Sequence, residues 1–350
     1  MDKLKNTDIL REFPKIELHR HLEGTFDLEV LHRIALKNGL EVPQSFQDFQ
    51  TDNQFPRDSE PNFLLFLSKF KTDWYRTHQD VYDIAYSSVK NIVKEGIFYI
   101  ELRFSPEHFS LQNNFNRLDI TKLVIEAGNT AAKETGLRIK YLITLNRGKQ
   151  TADEMIQLYQ QLKEVSPDIC GFDLAGDESN FPPEKFTKFF QLLKNEKLYK
   201  ATIHAGEVSP PSQIWEAIQG LAASRIGHGT SSIYDEELQK VLIKENICLE
   251  QCITSNYQTG SWTDKKTHPF GRLYRMGVPV TINSDDPSIQ DADLVEDYRV
   301  AIESFDLNWD DLIKINLTAV DCCFLNPQAK GSLKKAYLKQ VDEFKTKHDL

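Results

Sequence analysis

Eight short apolar runs punctuate the chain, at 15–22, 97–104, 139–145, 169–174, 200–204, 225–229, 247–253 and 278–282. Between them lie segments whose apolar residues recur at helical spacing, at 27–38, 63–67, 79–95, 120–135, 152–165, 183–195, 214–222, 235–245 and 271–276. Short strands separated by helices pair in parallel, with the helices covering the sheet. Eight such units close on themselves, so the pattern predicts an α/β fold, a TIM (β/α)8 barrel with extra helices. The helical stretches from Asp286 to Lys345 are expected to close the ring and cover its bottom. Segment 44–61, rich in Gln, Asp, Asn, Phe and Pro, reads as a long loop of the kind that carries function.

A length of 350 residues suits one large barrel, and no Pro/Gly/Ser-rich linker divides it, so 1–350 reads as a single domain. The net charge of -10, with no basic cluster among aromatics, argues against nucleic acid as a partner. The first ten residues are polar and no apolar run reaches membrane length, which speaks against a signal segment and a membrane partner. Five cysteines (Cys170, Cys248, Cys252, Cys322, Cys323), mostly set in apolar runs, read as reduced core residues of a cytoplasmic protein. The oligomeric state is left open.

Barrels of this type work at the carboxyl ends of their strands. Collecting the polar residues there gives His19 and His21 on strand one, Asp173 and Gly176 on four, and His204 and Glu207 on five. Strand six gives His228, and strand eight Asp285 and Asp286. Singly, each has a bland reading: His-x-His as a surface feature, Asp-Asp-Pro as a turn, His228 as a hydrogen-bonded core histidine. Together, in strand order, they form a set of imidazole and carboxylate groups suited to one divalent metal, most often zinc, with a glutamate beside it able to move protons. His32, His78, His108, His268 and His348 fall in helices or loops and read as structural, with some reserve for His268.

The motifs His19-Arg20-His21-Leu22-Glu23-Gly24, Arg103-Phe104-Ser105-Pro106, Asp173-Leu174-Ala175-Gly176-Asp177-Glu178, His204-Ala205-Gly206-Glu207, Gly227-His228-Gly229 and Ser284-Asp285-Asp286-Pro287 resemble those of the adenosine deaminase family. The resemblance runs from about Pro14 to about Phe324 and touches every barrel unit. The His-x-Glu and Pro-Cys-x-x-Cys signature of cytidine-type zinc deaminases is absent.

The resemblance implies one Zn2+ per chain, held by His19, His21, His204 and Asp285. It implies that His228, with Asp285, orients and deprotonates the attacking water, and that Glu207 protonates ring nitrogen 1 of the purine. Gly176 would meet nitrogen 3 through its N–H, Asp286 nitrogen 7, Glu23 the ribose 5′-hydroxyl, and Phe66 and Leu67 would cover the ribose. Arg103, Asp173 and Glu250 resemble a structural charge cluster beneath the metal. The substrate class implied is a purine nucleoside, adenosine or 2′-deoxyadenosine. Two departures stand out: Glu23 occupies a position where the family commonly has aspartate, and Ile253, after Gln251-Cys252, replaces a usual proline. Glutamate at 23 is also the residue of relatives acting on free adenine, which makes adenine or another N6-substituted purine the runner-up. Further readings are a silent purine-binding relative and a metal-dependent amidase or phosphatase on the same barrel.

Overall fold

The computed structural model describes residues 3–56, 59–163 and 165–350. Met1, Asp2, Arg57 and Asp58 of the 44–61 segment, and Glu164 near the end of the expected helix 152–165, lie outside the described residues. Eight parallel strands stand side by side in chain order. They are β1 (Lys15–His21), β2 (Ile97–Phe104), β3 (Arg138–Arg147), β4 (Ile169–Gly176), β5 (Lys200–Ala205), β6 (Arg225–His228), β7 (Cys248–Gln251) and β8 (Val280–Ile282). The seam between β8 and β1 is joined at its top by main-chain bonds: His21 N–H donates to Asp285 O at 2.9 Å and Asp285 N–H to His19 O at 3.1 Å. Lower down, where β8 has ended, Asn283 Oδ1 accepts from the N–H groups of Leu18 (3.0 Å) and His19 (3.2 Å). The expected barrel is therefore present, and its last gap is sewn by a side chain standing in for a strand.

Alternation decides what faces inward. On β2, Glu101 and Arg103 share the interior, while Leu102 and Phe104 join the apolar layer between strands and helices. That layer is built by amphipathic helices such as His78–Ile92 and Arg117–Thr135. The first starts in a capping box, with Thr77 and Asp80 satisfying each other's backbone N–H groups. Trp309–Cys322 and Pro327–His348 close the bottom as expected, through a separate apolar cluster of Ile16, Leu18, Tyr99, Val320, Leu333 and Tyr337.

Three expectations need correction. The 44–61 loop contains a helix, Phe46–Asn53, started by the Ser45 hydroxyl accepting from Asp48 N–H at 3.5 Å and anchored by the buried Phe49. Strand 247–253 is shorter than its apolar run, because Cys252 leaves extended geometry and the helix Ile253–Gln258 begins at once. Cys170 is only half-buried; the other four cysteines are buried, and all five are free. Among the described residues no helix is long and apolar enough to cross a membrane.

Candidate active site

The carboxyl ends of the strands bring His19, His21, His204 and Asp285 together, with one ligand-type atom from each within 4.8 Å of all the others. His19 Nε2 lies 3.0 Å and His21 Nε2 3.5 Å from Asp285 Oδ1, and the Nε2 atoms of His21 and His204 are 3.3 Å apart. The far nitrogens are fixed: His19 Nδ1 is 2.8 Å from Glu250 Oε2 and His204 Nδ1 is 3.0 Å from Asp173 Oδ1. A carboxylate at Nδ1 requires the proton there, which turns a bare Nε2 toward the centre, the arrangement metal-binding histidines use. His19 Nε2 and Asp285 Oδ1 are then two buried lone pairs facing each other, neither with a hydrogen-bond partner among the described residues. Only a positive charge between them makes that arrangement stable.

The protonation tendencies agree. Burial lowers the pKa of His21 and of His204, keeping both neutral as ligands must be. Burial also opposes a charge on His19, yet Asp285 and Glu250 outweigh it and raise that pKa, so without a metal a proton is drawn to the same place. A second set, His19, His228, Cys252 and Asp285, also falls within reach. Burial pushes the Cys252 thiol well above its ordinary range, so it offers no thiolate, and the histidine-rich set is the better cation site.

Above this centre a cavity of about 300 Å³ opens, lined by His21, His204, His228, Glu207, Asp285, Asp286, Glu23, Gly176, Phe66 and Leu67, among others. Every residue expected to touch metal or substrate is thus in its wall, except His19, which lies fully buried beneath it. His228 and Asp285 both sit at positive φ, +58° and +62°. Side chains held in that costly region cluster at functional sites. Glu207 follows the turn at Gly206, and burial, with the carboxyls of Glu178 and Asp285 nearby, raises its pKa well above the usual range. Asp286 is raised too, by burial and then by Asp285 and Glu23. A Cβ on Gly24 would stand 1.8 Å from Asp286 Oδ1, so glycine is required for that carboxyl to pack against the loop that follows β1.

Glu23 is buried, with Oε1 accepting from Ser105 N–H at 2.6 Å and Oε2 without a hydrogen-bond partner among the described residues. Burial raises its pKa to about 8. Gln251 donates through Nε2 to the His228 carbonyl, which gives its unusual polarity a use at the end of β6. Ile253 is buried and opens the helix that carries Asn256.

Arg103, Asp173 and Glu250 do form a buried cluster beneath the centre. Arg103 Nη2 is 2.7 Å from Glu250 Oε2 and its Nη1 is 3.3 Å from Asp173 Oδ1. The cluster is larger than expected. Arg225 Nε lies 2.5 Å from Glu250 Oε1 and Arg225 Nη1 2.6 Å from Glu101 Oε2, while the Phe324 ring covers the Arg225 guanidinium at 3.7 Å. Glu101 stands two residues before Arg103 on β2, and that period-2 spacing marks it in the sequence. Sequence reasoning also missed Ser105, His108, Asn146 and Lys149 in the cavity wall. Ser105 lies within a recognised motif and His108 two residues after it, though neither was assigned a role; Asn146 and Lys149 carry no local signal.

Comparison with known proteins gives the same direction. Residues 14–342 match the family model described as adenosine deaminase. An adenosine deaminase of Aliivibrio fischeri is 31% identical over 340 residues, 95% of this chain and 100% of that one. Among solved structures, an adenine deaminase from Arthrobacter aurescens superposes with a TM-score of 0.85 at 22% identity, covering 94% of this chain and 99% of that one. A Burkholderia ambifaria amidohydrolase with bound Zn does so with a TM-score of 0.87 at 20% identity, covering 98% and 94%. The chain belongs to the adenosine deaminase family.

Proposed function

We propose that this protein is a zinc-dependent hydrolase that converts adenosine and 2′-deoxyadenosine to inosine and 2′-deoxyinosine, releasing ammonia. One observation carries the reading: a cation site of three histidines and Asp285 opens into a cavity that also holds two carboxyls, Glu207 and Asp286, with raised pKa values. His19, His21, His204 and Asp285 would hold one zinc, a choice supported by their nitrogen-rich donor set and by the zinc-containing structural neighbour. When bound, zinc supplies the Lewis-acid chemistry that makes water a nucleophile at neutral pH.

The chain's own residues do the rest. Glu207, protonated in its buried setting, gives its proton to ring nitrogen 1, which opens carbon 6 to attack. Asp286, also protonated, donates to nitrogen 7, and the Gly176 N–H meets nitrogen 3. His228 and Asp285 handle the attacking water, whose oxygen bonds to carbon 6 before ammonia departs. Glu23 Oε2, without a hydrogen-bond partner among the described residues, takes the ribose 5′-hydroxyl, and Phe66 and Leu67 shield the sugar. The extra methylene of Glu23 favours one other reading, deamination of free adenine with the glutamate filling the ribose space. Phe63, Phe66 and Phe70, which line the same cavity as Glu23, support the nucleoside. The free cysteines support action in the reducing cytoplasm. Incubation of the purified, zinc-loaded protein with adenosine should yield inosine and an equivalent of ammonia, and failure on both nucleosides would overturn the proposal.

A further inference from the structure

Three hydrogen bonds connect a backbone amide to His228, and their direction is set at the backbone end. Phe270 N–H donates to His268 Nδ1 at 3.2 Å, so that nitrogen holds a lone pair. Burial keeps His268 neutral, with a pKa of about 3. Its single ring proton is therefore on Nε2, 3.1 Å from Asn256 Oδ1. With Oδ1 accepting, the Asn256 amide presents an Nδ2–H to His228 Nδ1 at 3.0 Å. A donor facing Nδ1 leaves His228 with its proton on Nε2. The amide of an asparagine is otherwise free to be turned either way; here a main-chain N–H, which cannot turn, decides it.

All three side chains are buried. His228, Asn256 and His268 are 1%, 0% and 2% exposed. Asn256 is held at both main-chain ends, its N–H donating to Cys252 O and its C=O accepting from Trp262 N–H, each at 2.9 Å.

We propose that Asn256 and His268 are positioning residues that lock His228 in its Nε2–H tautomer, so that His228 donates a hydrogen bond into the cavity and takes no proton from water. The proposal rests on His228 belonging to the active site described above. His228 Nε2 lies 3.6 Å from Glu207 Oε2 and 3.8 Å from Asp285 Oδ2, too far for direct bonds, which leaves its N–H to meet the water that enters the cavity. The work assigned jointly to His228 and Asp285 is thereby divided. As the water oxygen bonds to carbon 6, the broken O–H bond sends its proton to Asp285 Oδ2, while the displaced ring electron pair takes the Glu207 proton at nitrogen 1. His228 keeps its own proton and orients the water.

Histidine-labelled 15N spectra of the zinc-loaded protein test this directly, since long-range 1H–15N correlations show which ring nitrogen bears hydrogen. His228→Asn identifies the resonance. In the wild type Nδ1 should be bare and Nε2 protonated. In Asn256→Asp the carboxylate can only accept, so His228 should switch to the Nδ1–H form. The same change should lower kcat by about 10²–10⁴-fold with KM little altered, the scale of a misplaced histidine proton. Should Asn256→Asp fold poorly, His268→Phe frees the amide to turn and should give a mixture of tautomers. An Nδ1–H His228 in the wild type, or an unchanged tautomer in both variants, would overturn the proposal. Because the spectra need no substrate, an inactive protein with Nε2–H His228 would refute the functional reading and leave this one standing.

Discussion

Replacing Arg103 by methionine keeps most of the side-chain volume and removes a charge that is 0% exposed. The guanidinium donates to Glu250 Oε2 and to Leu18 O, both at 2.7 Å, and stands 3.3 Å from Asp173 Oδ1. Glu250 would keep Arg225, whereas Asp173 would be left with His204 Nδ1 (3.0 Å) and Thr144 Oγ1 (3.2 Å), neither a fixed positive charge. Breaking a buried ion pair on one side costs about 3–5 kcal/mol, because a charge is left without compensation. At about 2.1 cal/mol/K of unfolding entropy per residue, a chain of this size loses roughly 1.4 °C per kcal/mol, so Tm should fall by ~4–7 °C. Asp173 and Glu250 also orient His204 and His19, and losing such support should weaken zinc binding ~10–100-fold. Calorimetry and a competitive chelator titration read the two effects. Arg11→Met, which breaks the half-exposed bridge to Asp293, is the control and should stay within ~0.5 kcal/mol. An Arg103→Met protein that melts with the wild type and binds zinc equally well would refute the structural role of the cluster.

Glu207→Gln keeps size and removes the acid, so turnover should fall by ~10²–10⁴-fold with zinc content unchanged. In the wild type kcat/KM should hold at neutral pH and decline as pH rises through the elevated Glu207 pKa, since only the protonated form can donate; a pH profile lacking that alkaline limb would assign the proton elsewhere. Asp297, buried behind the helix Ile253–Gln258 and accepting from Thr254 N–H at 2.8 Å, is raised from the ordinary 3.8 to about 7. The native state then holds a proton that the unfolded chain releases, so this contribution is present below about pH 4 and lost as pH rises through 7. Asp297→Asn should flatten that part of the Tm-versus-pH curve, and matching slopes in the two proteins would contradict the assignment.

The barrel was legible because its strands are short apolar runs spaced by helical segments, and the site because barrel chemistry gathers at strand ends. His19, His21, His204, Glu207, His228, Asp285 and Asp286 meet where their strand positions place them. What stayed hidden depends on tertiary approach. His268 and Asn256 lie on different segments, and nothing in their spacing says that one hands a hydrogen bond to the other. Arg225 could be read only as a strand residue until Glu101 and Glu250 converged on it from β2 and β7. The helix Phe46–Asn53 was obscured by polar composition, although Ser45 as cap and Phe46 and Phe49 at helical spacing were its signals. Strand β7 was overextended because Cys252 and Ile253 are as apolar as the strand they follow, and it is their backbone turn that ends it.

A cavity built for a purine nucleoside, with Glu23 meeting a sugar hydroxyl, must prefer the nucleoside to the free base. The most direct test is the ratio of kcat/KM for adenosine to that for adenine, followed by ultraviolet absorbance on one zinc-loaded preparation. Adenosine should prevail by a large factor, up to ~10⁴–10⁵, as in sites built around a substrate hydroxyl. Adenine equalling or surpassing adenosine would contradict the account and give the ribose space to Glu23.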